Sequence, residues 1–428
     1  MKVEKLLVRK GFAGYFWTDR AAVKKGAQKD GLVYRGEPVT PGFKAIRVPA
    51  EAACILLILE DGQIAYGDCV AVVYTGGWGR DPLFAVDSYI PMIEKELGPL
   101  FEGYELRDFK TSAKYFDQLD IHGGRLHTAI RYGVTQAILD AVAKARKITM
   151  AEVIADEYGT TIARDPIPIL GQTGEEFYSN TEKMILLRLP LLPHASIKTS
   201  EDFEELLDKL RWTRKRVTEL AGKDYKPILH FDLYGTMGTF FNYSIPDMVD
   251  YFRKLEKEST PLELIIEAPV EMETQSDHIK MMRNLRETLA KEKINVKIVA
   301  DEWCNTLDDV KRFVDEGAAD MIQTKTPDLG GLNNAIEAVL YCHENGVLAY
   351  LGGSAAETER SAQICAHLAL ATQPRQILER PGMGVFEGTS IVLNEMQRAL
   401  ALIDYRSRAK KVRGLEHMGE GKGVGSKR

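Results

Sequence analysis

The sequence predicts an α/β protein in which a (β/α)8-type barrel follows an α+β segment. Three observations carry that prediction. Four hundred and twenty-eight residues with 45% apolar side chains are too many for one small module and supply a large core. After Asp165-Pro166 the chain turns periodic, with a short apolar run, a polar or Gly-containing turn, an amphipathic helix and then another apolar run. Before that point strand-like and helix-like patterns mix without regular alternation.

Taken in order, Val3 to Val8 and Cys54 to Leu59 are short apolar runs, and Asp61-Gly62 between Leu59 and Ile64 is a hairpin turn signal. From Leu126, the residues Ile130, Val134, Ile138 and Val142 recur every four positions along one face of a long helix. Residues 1–160 therefore read as an N-terminal α+β domain. Within it, GGWGRDP at Gly76 to Pro82 lacks the third Gly of a dinucleotide fingerprint and reads as a loop. Residues 161–409 carry eight candidate strands: Ile167 to Gln172, Met184 to Leu189, Ile228 to Leu233, Leu264 to Ala268, Val296 to Ala300, Met321 to Lys325, Leu348 to Leu351 and Gln376 to Glu379. Thr306, followed by Asp308 and Asp309, is a helix start with acids at the positive end of the helix dipole. A doubly wound open sheet uses the same alternation, so periodicity leaves both architectures open. Residues 410–428, rich in Gly and Lys, read as a flexible tail.

Composition excludes several classes of function. Lys+Arg 56 against Asp+Glu 62 gives a net charge of -6, with no basic stripe for a phosphate backbone, so nucleic acid is not expected as a partner. The apolar stretch at Ala52 to Leu59 falls far short of the roughly 18 residues a membrane helix needs. MKVEKLLVRKG lacks a signal-peptide apolar region, and the expectation is a cytoplasmic protein without a membrane partner. Cys54, Cys69, Cys304, Cys342 and Cys365 are odd in number and scattered, without a C-x-x-C pair. Buried, reduced thiols are expected.

Chemistry is concentrated at strand ends. Asp232 in ILHFDLYG, Glu267 in LELIIEAP and Asp301 in VKIVADEWC are separated by 35 and 34 residues, one βα unit each. In a barrel all three point into one mouth at the carboxyl ends of adjacent strands. Carboxylates converging in a partly dry site repel unless a cation holds them, and oxygen ligands with an unfilled shell point to Mg2+. Lys325 in MIQTKTPDLGG falls 24 residues after Asp301 at the next strand end. Beside a dication its ammonium form is expected to be disfavoured, and a neutral amine can act as a base. Gln323 shares its side of the sheet and can donate to a carboxylate; His194, after LPLLP, faces Lys325 across the mouth if strand order is sequential. His230 precedes Asp232 by two residues and shares its face. A carboxylate-bound metal opposite a neutral Lys suits removal of a proton α to a substrate carboxylate, the reaction class of the enolase superfamily.

The wording of the motifs adds a resemblance. HFDLYG, IEAP, VADEWCNT, QTKTPDLGG, KYFDQLDIHGGRLH and RLHTAIRYGVTQAILDAVAK closely resemble the methylaspartate ammonia-lyase family, over nearly the whole chain from Lys2 to about Arg406. The resemblance implies enolase-superfamily architecture, with the N-terminal domain capping the barrel. It implies reversible deamination of L-threo-3-methylaspartate to mesaconate and ammonia, in glutamate fermentation. Asp232, Glu267 and Asp301 would hold Mg2+. Lys325 would take the C3 proton, and His194 would serve the opposite face, where the erythro epimer reacts. Gln172 and Gln323 would contact substrate carboxylates, and Val73, Leu170, Tyr350, Ser354, Ala355 and Leu378 would complete the substrate pocket. K+ would be an activator and the assembly a homodimer. Four positions depart from the family pattern: Ser354-Ala355 stands for Thr-Cys, Leu170 for an aromatic, and Val73 for a Gln near the substrate amine. The rival readings are another superfamily lyase or epimerase acting on an amino-dicarboxylate, and a catalytically silent metal-binding barrel.

Overall fold

A computed structural model describes residues 1–121 and 123–420, with residues 410–420 as backbone alone; His122 and residues 421–428 lie outside the described residues. The N-terminal part is an antiparallel sheet of Val3–Thr18, Arg47–Leu59 and Ile64–Cys69, with Arg47–Leu59 in the middle. Both apolar runs at its start are strands, each longer than its apolar core. The Asp61-Gly62 turn joins the last two strands, with Gly62 at φ 81° and the Leu59 N–H bonded to Gln63 O at 2.9 Å. Across the sheet lies the helix Thr128–Arg146, on which Ile130, Val134, Ile138 and Val142 are all buried. Each such side chain stabilises the fold by roughly 1.5–3 kcal/mol relative to exposure.

Helix and sheet approach closely because glycines face each other. A Cβ on Gly133 would lie 2.4 Å from the Cys69 nitrogen, and one on Gly67 would lie 2.1 Å from the Gly133 oxygen.

Eight parallel strands close into a barrel in chain order, which settles the choice against an open sheet. They are Ile169–Gln172, Leu191–Ser196, Ile228–Asp232, Leu264–Glu267, Val296–Ala300, Met321–Gln323, Leu348–Leu351 and Gln376–Leu378. Seven coincide with expected strands, with boundaries shifted by a residue or two. The second does not. Met184 to Leu189 was expected as a strand, but Phe177–Leu186 is a helix with Met184 and Ile185 buried, and the strand is Leu191–Ser196. A short buried apolar run reads alike in both states, and Pro190 and Pro193 mask the true strand because Pro is rare in central strands. The Thr306 helix start is a capping box, its hydroxyl accepting from the Asp309 N–H at 3.1 Å.

Leu170, Leu191, Ile265, Val299, Met321, Tyr350 and Leu378 fill the barrel interior as an apolar plug. Polar chemistry is therefore confined to the mouth above it. The final helix, Val385–Glu420, runs through position 409, where the sequence suggested the barrel's end. Four cysteines are buried and free, as expected, while Cys54 is only half-buried.

Gly133→Ala should lower unfolding stability by about 1–3 kcal/mol, because the added methyl group has to push helix and sheet apart. A denaturant midpoint unchanged from wild type would show that this interface has slack.

Candidate active site at the barrel mouth

Strand register brings the predicted acids together. Asp232 pairs directly with Glu267 across the third and fourth strands. Asp301 follows the fifth strand, two residues beyond Val299, the partner of Glu267. All three are buried. Glu267 is the best supported: His230 Nε2 lies 2.7 Å from Oε2, and the Gln323 side-chain amide donates to Oε1. Gln376 Nε2 donates to His230 Nδ1 at 3.0 Å, so His230 is neutral and gives its Nε2 proton to Glu267. His230 thus supports Glu267 through a specific hydrogen bond. Asp232 Oδ1 accepts from the Tyr234 N–H at 3.1 Å. Asp301 Oδ1 lies 2.7 Å from Lys325 Nζ.

These differences in support set the charges. Burial alone would raise Glu267, but His194 and His230 outweigh it and hold the carboxyl below its usual range. Asp232 is pushed well up by burial and by the charges of Glu267 and Asp301. Asp301 is pushed up to about 7 by burial, with Lys325 opposing the rise. At Lys325 burial lowers the pKa, yet the Asp301 carboxylate beside it more than compensates and holds the ammonium form above its ordinary range.

The donor set fits a hard divalent cation. Carboxylate oxygens of Asp232 and Glu267 and a ring nitrogen of His194 lie within 4.8 Å of one another. His194 Nε2 is buried, 3.4 Å from Glu267 Oε2 and 3.7 Å from Asp232 Oδ2, without a hydrogen bond. A carboxyl forced upward by burial and by its neighbours' charges, as Asp232 is, with an unpartnered imidazole nitrogen aimed beside it, is the arrangement a dication relieves.

A cavity of about 210 Å³ opens above this cluster. Asp232, Asp301, Lys325, His194, Gln172, Gln323, Val73, Ser354, Ala355 and Leu378 all line it. Gln172 and His194 are register partners on the first two strands. Leu170 and Tyr350 belong instead to the apolar plug with Leu378, beneath the mouth. Ser354 is already engaged: its N–H donates to Glu357 at 2.8 Å, and its Oγ accepts from the Val73 N–H at 3.0 Å. Its hydroxyl proton is left to donate.

Several lining residues escaped the sequence reading. Arg80 enters from the loop at Gly76 to Pro82, and Glu302, next to Asp301, receives its guanidinium at 3.2 Å. Tyr15 lines the rim from the first strand, and Glu175 from the loop after the first barrel strand. Lys198 continues the face of His194 and Ser196 with its ammonium over the rings of Tyr74 and Tyr234. For Arg80 the signal was a single cation inside a glycine-rich loop; nothing in the sequence pairs it with Glu302.

Comparison with known proteins places this site in a class. Muconate cycloisomerase from Pseudomonas fluorescens, 16% identical, shares the fold with a TM-score of 0.60 over 86% of the chain. The protein thus shares its fold with that enzyme, a closed barrel with an α+β domain beside its mouth. Family models described as methylaspartate ammonia-lyase N-terminus and C-terminus match residues 1–159 and 161–405. Methylaspartate ammonia-lyase 2 from Carboxydothermus hydrogenoformans is 49% identical, covering 95% of this chain and 99% of its own. The crystal structure of beta-methylaspartase from Clostridium tetanomorphum, a Mg complex, is 47% identical with a TM-score of 0.90, covering 95% of this chain and 100% of its own. The enzyme from Citrobacter amalonaticus, crystallised with (2S,3S)-3-methylaspartic acid, is 44% identical with a TM-score of 0.92, covering 94% and 100%. The chain belongs to the methylaspartate ammonia-lyase family and is a lyase.

Glu175 ties the cavity rim to the N-terminal domain, accepting from Tyr15 Oη at 2.9 Å and Arg47 Nη2 at 3.2 Å. Burial would raise its carboxyl, but Lys29, Lys198, Tyr15 and Arg47 together hold it down at about 2. A depressed carboxylate stabilises the fold above its unfolded pKa of about 4.3 and loses that contribution as pH falls towards 2. Glu175→Gln should therefore cost on the order of 1–2 kcal/mol at neutral pH, after allowing for partial solvent screening. The gap from wild type should close below about pH 2; a gap independent of pH would indicate lost packing instead.

Proposed function

We propose that the chain catalyses the Mg2+-dependent, reversible deamination of L-threo-3-methylaspartate to mesaconate and ammonia. The observation that carries this reading is one cavity holding His194, on the second barrel strand, and Lys325, just past the end of the sixth, around Asp232 and Asp301, with Lys325 Nζ 2.7 Å from Asp301. The relatives' own descriptions support it: one is a Mg complex and one contains (2S,3S)-3-methylaspartic acid.

Asp232, Glu267 and Asp301 would hold Mg2+, which when bound neutralises them and stabilises negative charge on a substrate carboxylate. Lys325 takes the proton from C3. The electron pair released forms the C2–C3 double bond as the C2–N bond breaks, and ammonia leaves. Lys325 has first to give up the proton that Asp301 holds on it. His194 serves the opposite face, for the erythro epimer. Gln172, Gln323 and the Ser354 hydroxyl hold the substrate carboxylates, and Ala355 and Leu378 bound the pocket. Leu170 and Tyr350 shape its floor from the barrel plug. Val73 lies beside the departing amine and offers no side-chain partner to it. K+ as an activator, a homodimer, a cytoplasmic setting and a place in glutamate fermentation complete the proposal. Among the described residues no helix is long and apolar enough to cross a membrane.

Lys325→Arg should remove threo-substrate activity, since a guanidinium stays protonated. In the wild type kcat/KM should rise from neutral to alkaline pH, because a raised lysine pKa leaves the free amine scarce until pH climbs. A flat profile would identify another base. Formation of the conjugated product reports both.

The closeness of His194 Nε2 to Asp232 and Glu267 favours a second reading, in which this ring is itself a metal ligand. His194→Ala separates the two. Selective loss of erythro activity with unchanged Mg2+ affinity, read by calorimetry, supports the opposite-face acid or base; equal loss on both epimers with weakened Mg2+ binding supports the ligand.

A further inference from the structure

Among the described residues Arg80 is the one guanidinium lining the cavity, and it arrives from the N-terminal domain. Its side chain is 4% exposed. Nε lies 2.7 Å from Asp328 Oδ2, and Nη1 lies 3.2 Å from Glu302 Oε2. Both acids flank Lys325. Asp328 is three residues after it, in the short helix Thr326–Leu329, where the Asp328 N–H bonds back to Lys325 O at 3.0 Å. Glu302 follows Asp301 and shares the cavity wall with Lys325. Side chains of both acids are at most 6% exposed, and among the described residues each has Arg80 as its ion-pair partner within 4 Å. Lys325 Nζ, by contrast, has Asp301 as its one carboxylate within 4 Å.

The loop that delivers Arg80 is fastened to both parts of the molecule. Asn305 donates to the Trp78 oxygen, Trp78 Nε1 donates to Glu271 at 3.0 Å, and the Arg80 guanidinium lies 5.3 Å from the Trp78 ring centre. His127 Nε2 lies 2.9 Å from the Pro82 oxygen, at the start of the long N-terminal helix. Arg80 is therefore placed by tertiary contacts and does not sample the mouth freely.

We propose that Arg80 is a positioning residue for Lys325: by taking up Glu302 and Asp328 it keeps both carboxylates off the lysine, so that Asp301 alone orients it. Without Arg80, two buried carboxylates lose their counter-ion, and such charges recruit whatever cation is in reach. Lys325 feels the charges of both acids, and its long flexible stem allows it to swing away from the substrate. The N-terminal domain thus determines where the base stands. This inference rests on Lys325 being the base.

Two variants test it with 3-methylaspartate and Mg2+: Arg80→Met, and the compensated Arg80→Met/Glu302→Gln/Asp328→Asn. Arg80→Met should lose about 100-fold in kcat with little change in KM, the cost of misplacing a reacting group by roughly 1 Å. Its crystal structure should show Lys325 Nζ on Glu302 or Asp328. The compensated variant should recover most of kcat and return Lys325 to Asp301. Arg80→Met turning over at the wild-type rate would overturn the proposal, as would a compensated variant as slow as Arg80→Met. If Arg80→Met does not fold, the compensated variant decides alone: a near wild-type kcat supports the proposal and a loss of about 100-fold overturns it. Failure of the base assignment is read separately, by activity in Lys325→Arg, while the lysine's position in the two crystal structures still tests the role of Arg80.

Discussion

Three carboxylates buried within one barrel mouth are the constraint around which this molecule is arranged. Each buried charge costs several kcal/mol unless it is paired, and the mouth pairs them unequally. Glu267 has His230 and Gln323, Asp301 has Lys325, and Asp232 has a single backbone N–H. The shortfall at Asp232 is what the proposed cation would relieve, while Glu267 is held by two side-chain donors. His230 shows how far the support extends, since its tautomer is fixed by Gln376 on the last barrel strand.

That inequality explains why the N-terminal domain reaches into the mouth. Two further acids, Glu302 and Asp328, act on Lys325, and among the described residues the barrel itself supplies them no cation within 4 Å; Arg80 comes from outside. Other contacts across the same boundary are buried as well. Tyr132 donates to Glu357 at 2.9 Å, Thr358 donates to Asp68 at 2.6 Å, and the Val73 N–H holds the Ser354 hydroxyl. Glu357 in turn accepts from the Ser354 N–H and from Arg380. The loop Gly352 to Ala355 is therefore positioned from beneath by a buried ion pair and from above by the neighbouring domain. Val73 and Ser354-Ala355 fall on this shared wall, where the Val73 N–H to Ser354 Oγ hydrogen bond couples one side to the other.

Much of the fold was legible because its signals are local. Strand runs such as Val296–Ala300 and Leu348–Leu351, the Asp61-Gly62 turn and the Thr306 cap each follow from a handful of adjacent residues. The second barrel strand was misread because a buried helix and a buried strand present the same apolar run, and only packing separates them. Asp232, Glu267 and Lys325 were legible for a related reason: a strand end marks where a side chain can act, and the βα repeat carries that mark from unit to unit.

Sequence alone determined the strand-end chemistry, the hydrophobic helix against the N-terminal sheet and the family resemblance, since these reside in local pattern and motif wording. Tertiary structure decided that the sheet closes, that His194 turns its Nε2 towards Asp232 and Glu267, that Lys325 is charged by Asp301, and that Arg80 belongs to the site. Those outcomes depend on distances between residues far apart in the chain, such as the 248 positions separating Arg80 from Asp328. Electrostatic energy falls with separation in space, and spacing along the sequence carries no measure of it.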